Sequence, residues 1–225
     1  MNNSENLYMK TSKLLFTCIG AAAIALASCT QNEKIQANAS GLDEAKFDTI
    51  INEKPVKLFQ LKNCNGMEVA ITNFGGRVVS ICVPDRDGNM KDVVLGFDNI
   101  KQYADSVNSP SDFGAAIGRY ANRINKGKIN IDGQEITLPT NNFGHTLHGG
   151  PAGWQYQVYD AELVNDSTLK LTMDSKDGDM NFPGNVKAIV TYELTADNAL
   201  DIKYEATTDK TTVINMTNHS YFNLS

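Results

Sequence analysis

Short runs in which apolar and polar residues alternate dominate the chain from Ile50 onward, and clusters of turn-forming residues separate them. A period of two residues belongs to a strand with one buried face, and the longer period of an amphipathic helix is absent from this region. Many short strands with turns at regular spacing predict an all-β sandwich. The strands are predicted at residues 56–61, 67–72, 78–83, 92–95, 156–163, 168–173, 186–194, 200–207 and 213–217.

One hairpin carries a strong turn signal. Residues 128–131 and 134–138 form two alternating runs, and Asp132-Gly133 lies between them. Both turn residues tolerate positive φ, which a two-residue hairpin turn requires. Apart from the strands, only residues 99–105 are predicted to hold a short helical turn.

Three polar segments around this hairpin and late in the sequence are predicted to form one site. Asn122-Arg123 precedes the hairpin, His148-Gly149-Gly150 follows it, and Asn218-His219-Ser220-Tyr221 comes much later. Two glycines let the backbone pass close to a bound molecule, and a neighbouring histidine can reach that molecule. Taken alone, each histidine could be a satisfied structural residue and the arginine a surface residue. Together they suit a neutral polyol, which needs several donors and acceptors.

Size and charge limit the function classes. A chain of 225 residues with 41% hydrophobic content can bury a sizeable core as one domain. The net charge is −6 and the basic residues do not cluster, which argues against nucleic acid as a partner. The sequence has neither the Gly-x-Ser-x-Gly motif of a serine nucleophile nor a phosphate-binding glycine loop. His145 and His148 have a spacing compatible with a metal but lack acidic or cysteine neighbours, so no metal site is predicted.

Two features allow two interpretations each. Trp154, the only tryptophan, could be an aromatic platform for a sugar or a core residue. Cys64 and Cys82 could pair in an oxidising compartment or remain two free, partly buried residues. Their spacing is not that of a CxxC zinc site.

The first 28 residues are predicted to be a secretory signal peptide. Lys10 and Lys13 precede an apolar run over residues 14–27, which is too short to span a bilayer as a mature helix. The small residues before Cys29 resemble the lipobox of bacterial lipoproteins, so cleavage is expected before Cys29 and a lipid on its thiol. An ordinary signal peptide with an incidental cysteine is the alternative.

Three parts therefore follow one another in the predicted organisation. They are the signal peptide at 1–28, the lipid attachment site and a flexible tether at 29–48, and the β-sandwich at 49–225. The protein is expected in the cell envelope, anchored to a membrane by its N-terminal lipid on the periplasmic or outer-surface side. The sequence leaves open which membrane holds the lipid.

The order and spacing of several motifs along nearly the whole domain resemble the aldose 1-epimerase (galactose mutarotase) family. Each motif is modest alone, and the set is highly specific. Asn181 replaces a glycine that often precedes Phe-Pro-Gly, and the segment after Trp154 diverges. The matching stretches are Asn73-Phe74-Gly75-Gly76, Gly118-Arg119-Tyr120-Ala121-Asn122-Arg123-Ile124, Leu147-His148-Gly149-Gly150, Asp177-Gly178 with Phe182-Pro183-Gly184, and Thr217-Asn218-His219-Ser220-Tyr221-Phe222-Asn223-Leu224.

This resemblance implies a large antiparallel β-sandwich that interconverts α and β anomers of free aldoses without a cofactor. By the same resemblance, His219 is the general acid, and His148 forms a hydrogen bond with the sugar near its ring oxygen. Asn122 and Arg123 are expected to bind sugar hydroxyls. Ser220 and Tyr221 are expected to line the site.

The same resemblance assigns the general base to a glutamate beyond Ser225, and a sugar-binding aspartate also lies beyond it. The chain is therefore expected to be the N-terminal part of such an enzyme and to lack turnover by itself. A membrane-tethered carbohydrate-binding module on the same sandwich is the alternative function. Residues 30–225 expressed alone are expected to aggregate.

Overall fold

The computed structural model describes residues 38–108 and 110–224, and their regular structure is almost entirely β-strand, which confirms the all-β prediction. Helical structure in these residues is limited to α1 (Ile100–Ala104) and to short 3-10 helices at Glu44–Lys46, Asn125–Gly127, Trp154–Tyr156 and Asp179–Asn181. The strands are β1 (Thr49–Ile51), β2 (Lys54–Val56), β3 (Leu58–Lys62), β4 (Glu68–Thr72), β5 (Arg77–Pro84), β6 (Met90–Asp92), β7 (Ala116–Ile117), β8 (Arg123–Ile124), β9 (Lys128–Ile131), β10 (Gln134–Thr137), β11 (Thr146–Leu147), β12 (Asp160–Asn165), β13 (Thr168–Ser175), β14 (Val186–Leu194), β15 (Leu200–Thr208) and β16 (Thr217–Asn218).

Two antiparallel four-stranded sheets form the sandwich, with strand orders β3-β4-β5-β6 and β12-β13-β14-β15. Burial alternates along β13 and β14, as expected for strands with one face on the core. Apolar residues of both sheets meet in one cluster, in which Val69 and Ile71 of the first sheet join Leu171 and Val190 of the second. The Tyr192 hydroxyl also donates a 2.6 Å hydrogen bond to the Gly76 carbonyl and ties the sheets together.

The predicted hairpin is confirmed. β9 and β10 pair antiparallel, with Gln134 opposite Ile131. Asp132 and Gly133 both have positive φ, at 52° and 80°. The predicted helical turn is α1, whose first backbone groups are capped by the side chain of Asn99.

A buried arginine organises the backbone next to the predicted site. Arg119 is fully buried and donates hydrogen bonds to the carbonyls of Pro183, Gly184 and Lys176 and to the Ser175 hydroxyl. Burial lowers the pKa of the Arg119 guanidinium, and the negative charges of Asp179 and Asp177 partly oppose this shift. Burying a charged group is costly unless it is hydrogen-bonded, and the two terminal nitrogens of Arg119 meet this need by binding several loops at once.

Trp154 belongs to the core. Its side chain is 1% exposed, and a Cβ atom placed on Gly118 would overlap its indole ring. The Trp154 backbone N–H donates to the Gly118 carbonyl at 3.1 Å. Of the two interpretations given above, the structure therefore supports the core residue and contradicts the sugar platform.

Three predicted strands need correction. The strand predicted at 92–95 is instead β6, which ends at Asp92, and Val94 forms only an isolated bridge with Phe222. The Asp92 side chain accepts from the Ile81 and Val94 N–H groups, which interrupts the ladder after β6.

The segment predicted at 213–217 is a strand only at Thr217–Asn218. Asn215 forms only an isolated parallel bridge with Tyr120, in which its N–H donates to the Arg119 carbonyl, and its side chain donates to the Ala121 carbonyl. The strand predicted at 156–163 begins only at Asp160, after the 3-10 helix.

The N-terminal predictions lie partly outside the described residues, including the signal peptide at 1–28 and Cys29. Within residues 38–48, which were assigned to the tether, Phe47 is fully buried in the core, so the domain begins before residue 49. Cys64 and Cys82 are both free. No helix in the described residues is long and apolar enough to cross a membrane.

Candidate active site

Strand pairing brings the late segment of the chain beside an earlier one. β16 pairs with β7, and the Gly114 N–H donates to the His219 carbonyl at 3.1 Å. The His219 N–H donates in turn to the Ala115 carbonyl at 2.9 Å. The segment before β7, which contains Asp112, therefore lies next to His219.

A second short pairing positions His148. β8 pairs with β11 so that Arg123 faces Leu147, and the contact continues for one more residue on each strand. The His148 N–H donates to the Asn122 carbonyl at 3.1 Å, and the Asn122 N–H donates to His148 Nδ1 at 3.0 Å. Both residues have positive φ, at 64° for Asn122 and 52° for His148, which turns the chain at this point.

The hydrogen bond to Nδ1 fixes the protonation state of His148. Since Nδ1 accepts from the Asn122 backbone, the proton of the neutral imidazole is on Nε2, which becomes a donor. Burial lowers the pKa of His148, opposed by the charge of Asp112 and reinforced by His219 and Arg123. His148 is therefore a neutral hydrogen-bond donor near pH 7.

The two histidines face each other. Their ring centroids are 5.0 Å apart with planes at 87°, and the His219 ring lies 5.2 Å from the ring of Tyr221. In the described residues the side chain of His219 forms no hydrogen bond. The histidines line a cavity of about 470 Å³, within the usual range for small-molecule sites. Its lining is Phe97, Pro110, Ser111, Asp112, Phe113, Arg123, Leu147, His148, His219 and Tyr221.

The predicted site residues other than Ser220 divide into those that line the cavity and Asn122, which supports them. Arg123, His148, His219 and Tyr221 line the cavity together. Asn122 acts through its backbone, which holds His148, while its side-chain oxygen accepts from the Arg123 N–H at 2.8 Å. Arg123 is itself held by Asn142, whose side-chain oxygen accepts from Nε at 3.0 Å.

Ser220 differs from the sequence-based expectation. It lines a separate apolar cavity of about 410 Å³ together with Phe222 and Leu224. Successive residues of an extended segment point to opposite sides. The side chains of His219 and Tyr221 therefore face the polar cavity, and those of Ser220 and Phe222 face away from it.

Sequence reasoning missed Asp112. Its Oδ2 lies 3.9 Å from His148 Nε2, and its Oδ1 is buried without a hydrogen-bond partner in the described residues. Asp112 precedes the short β7, and only the pairing of β7 with β16 shows that it meets the histidines. No local motif could have identified it.

The ligand atoms of Asp112, His148 and His219 lie within 4.8 Å of one another, which is close enough for a metal ion. The tautomer of His148 opposes this use, because a cation on Nε2 would have to displace its proton while Nδ1 still accepts from Asn122. The cluster is therefore better suited to hydrogen bonding.

A larger cavity of about 780 Å³ lies beside β1 and α1 and is lined in part by Lys46, Asp48, Asp98 and Lys101. It brings no histidine together with a carboxylate, so it lacks a convergent set of groups for acid–base chemistry. The smaller cavity with the two histidines is the better candidate site.

Known proteins resemble both the sequence and the fold. The family described as aldose 1-epimerase matches residues 57–225. The aldose 1-epimerase of Escherichia coli is 40% identical over 171 residues, which cover 76% of this chain and 49% of that protein. The galactose mutarotase of Rattus norvegicus is 37% identical over 182 residues, which cover 79% of this chain and 52% of that protein. The chain spans about half the length of the curated relatives it matches.

Solved structures agree. An aldose epimerase homologue from C. elegans superposes with a TM-score of 0.71 at 31% identity, over 75% of this chain and 51% of that one. The galactose 1-epimerase of Lactobacillus acidophilus gives a TM-score of 0.69 at 30% identity, over 78% of this chain and 51% of that one. The sandwich is thus galactose mutarotase-like, as the sequence motifs indicated. The family match extends through the segments that carry Arg123, His148 and His219, and the chain belongs to the aldose 1-epimerase family.

Proposed function

We propose that this protein interconverts the α and β anomers of free aldoses such as glucose or galactose. The observation that carries the proposal is the pair of facing imidazoles at 5.0 Å in a cavity shared with Arg123 and Tyr221. Relatives at 37–40% identity bear the names aldose 1-epimerase and galactose mutarotase, which supports the same reaction and substrate class here.

The proposed chemistry is a pair of proton transfers and needs no cofactor. Opening a cyclic hemiacetal requires a proton on the ring oxygen and loss of the proton on the C1 hydroxyl. His219 is proposed as the acid, because its imidazole faces the cavity without a hydrogen-bond partner in the described residues. A histidine titrates near neutral pH, so it can give the proton and retake it when the rotated chain closes on the other face.

His148, Arg123 and Tyr221 are proposed to bind the sugar. The Nε2–H of His148 can donate to an oxygen near the ring, and the guanidinium of Arg123 can donate to further hydroxyls. Asn122 supports the site, because its N–H donates to His148 Nδ1 and its side-chain oxygen accepts from the backbone N–H of Arg123. The base that takes the C1 hydroxyl proton is, by the family resemblance, a glutamate that the matched motifs do not contain.

Polarimetry of freshly dissolved α-D-glucose or α-D-galactose tests the proposal. When the glutamate that the family resemblance assigns as the base is present, we expect the protein to accelerate anomer exchange. In that protein His219→Asn should lower the rate by roughly 10²-fold or more, as loss of general acid catalysis predicts. His145→Asn is the matched control, because His145 lies outside the cavity lining and accepts from the Lys126 N–H. A near-parental rate in His219→Asn would remove His219 from the mechanism. Sugar binding without any acceleration would favour the carbohydrate-binding module.

We also propose that the protein is tethered to a membrane of the cell envelope through a lipid on Cys29. The support is the sequence alone, in which a basic segment, an apolar run and small residues precede this cysteine. A single chain of lipid binds membranes only reversibly, so stable anchoring needs more than one acyl group.

A further inference from the structure

We propose that Asp112 is a substrate-binding residue, and that it and His148 hold one sugar hydroxyl between them as acceptor and donor. The inference deepens the proposed function and rests on it. It assigns a role to a carboxylate in the cavity that the sequence motifs did not indicate. It also narrows the ligand to a sugar that carries a free hydroxyl at the bridged position.

The donor half of the arrangement is His148. Its Nδ1 is occupied by the Asn122 backbone N–H at 3.0 Å, so its remaining polar atom is an Nε2–H. This N–H is aimed at a lining residue of the cavity, since Nε2 is the atom closest to the Asp112 carboxylate. The imidazole is held by its Nδ1 hydrogen bond to Asn122, and the His148 backbone N–H donates to the carbonyl of the same residue, so the direction of the Nε2–H donor is set before any ligand arrives.

The acceptor half is Asp112. The distance of 3.9 Å from Oδ2 to His148 Nε2 is too long for a direct hydrogen bond. A separation of this size is expected when a single bridging hydroxyl accepts from the His148 Nε2–H and donates to Asp112 Oδ2. Two hydrogen bonds of about 2.7–2.9 Å that meet at about 90° separate their outer atoms by about 4 Å. Only a group that both donates and accepts can take that place, and a hydroxyl does so.

Asp112 is preorganised for this contact. Its carbonyl accepts from the Ala115 N–H at 3.1 Å, and the next residue, Phe113, accepts at its carbonyl from the buried guanidinium of Arg77 at 3.0 Å. The charge of Arg77 also interacts favourably with the Asp112 carboxylate. In the described residues no side chain or backbone donor reaches the carboxylate oxygens, and Oδ1 is buried. Oδ2, the oxygen nearest His148 Nε2, is therefore the atom available to a ligand in the cavity.

The arrangement implies a specific selectivity. A neutral aldose with the bridged hydroxyl satisfies both partners, whereas the analogue without that hydroxyl leaves a carboxylate and an N–H unpaired. A sugar carrying a carboxylate or phosphate near Asp112 would meet a like charge. The site should therefore discriminate strongly against one monodeoxy sugar and weakly against the others.

The test uses Asp112→Ala, Asp112→Asn and the control Asp87→Ala, which changes an exposed residue in the turn between β5 and β6. Polarimetry gives kcat and KM for D-galactose, D-glucose and their monodeoxy derivatives, and calorimetry gives the dissociation constants. We expect Asp112→Ala to raise KM and Kd for the parent sugar by about 10- to 100-fold, the loss of a hydrogen bond to a charged group. In the parent protein, KM and Kd for one monodeoxy sugar should exceed those for the parent sugar by a similar factor. In Asp112→Ala this difference between the two sugars should disappear.

Asp112→Asn keeps a carbonyl oxygen of the same shape, so its KM should lie between those of the parent and Asp112→Ala. An intermediate KM, together with a free energy of unfolding equal to that of the parent protein, separates a role in sugar binding from a structural role. If Asp112→Ala fails to fold, a reduced deoxy-sugar discrimination in Asp112→Asn supports the proposal, and discrimination equal to that of the parent protein overturns it. Turnover with unchanged KM in both variants, or equal penalties for all monodeoxy sugars, overturns this inference alone. A parent protein that neither binds sugars nor interconverts them overturns the proposed function and this inference with it.

Discussion

Asn122 and His148 form a pair in which each residue holds the other. Both adopt left-handed backbone conformations, and two hydrogen bonds join them. One of these bonds is accepted by Nδ1, which leaves Nε2 as the donor of the neutral imidazole. A non-glycine residue rarely adopts this conformation without a reason. Here the reason is the position of one imidazole nitrogen.

The lowered pKa of His148 makes a prediction about stability. Its main cause is burial, and the unfolded chain has a pKa near the ordinary value of 6.5. The stabilising contribution is therefore fully present above about pH 6.5, and it is lost as the pH falls toward the folded-state pKa, because the unfolded state then binds the extra proton. We expect urea unfolding between about pH 7.5 and pH 5 to show a steeper loss of stability for the parent than for His148→Asn.

Asparagine is the suitable replacement, because it tolerates positive φ and its side-chain oxygen can accept from the Asn122 N–H. The two proteins should therefore differ mainly in the titrating group. Parallel slopes in the two proteins would mean that His148 takes up its proton equally in the folded and unfolded states.

The sequence alone identified some of the residues that line the cavity and missed others. Arg123, His148, His219 and Tyr221 were identified from motifs, and the structure brings all four to one cavity. Asp112 could not be identified, because its importance depends on a long-range strand pairing that leaves no local pattern. Ser220 was misjudged, because a motif does not show which side of an extended segment faces the site.

Among the elements, the end of β7 and the 3-10 helix Trp154–Tyr156 pack closely against each other near the site. Gly118 has no room for a side chain, since a Cβ atom there would overlap the buried indole of Trp154. We expect Gly118→Ala to lower the free energy of unfolding by about 1–3 kcal/mol through overpacking. Chemical denaturation followed by tryptophan fluorescence measures the change.

Gly133→Asn is the matched control for that variant. Gly133 also turns a tight corner, but the space around it is open and asparagine accepts its φ of 80°. Its stability should stay within about 0.5 kcal/mol of the parent, as for surface substitutions generally. Equal effects of the two substitutions would show that the indole can move aside.

Elements with strong local signals were predicted well. The β9–β10 hairpin follows from its Asp-Gly turn, and the core strands β13 and β14 follow from their alternation. The segment at 213–217 misled the prediction, because its apolar residues suit a strand while its hydrogen bonds go to the loop around Arg119 and Ala121. Partners that distant cannot be inferred from periodicity.

For the molecule as a whole, the open question is where it acts. If Cys29 carries a lipid, Cys29→Ser should release the protein from membranes or leave it unprocessed. Membrane fractionation with mass spectrometry of the N-terminus measures both effects. Cys64→Ser is the matched control, because Cys64 is an exposed free thiol of the folded domain and should not affect retention. Unchanged processing and retention of Cys29→Ser would count against lipidation.

The pairing of β7 with β16 joins Ile117 to Thr217, two positions 100 residues apart. Closing a loop of that size has an entropic cost that only the later contacts repay. The two imidazoles therefore cannot meet until His219 has been synthesised and the sheets between them have formed. During synthesis the growing chain therefore lacks the cavity that His148 and His219 line together. The sugar binding proposed for this cavity would appear only after His219 has joined it.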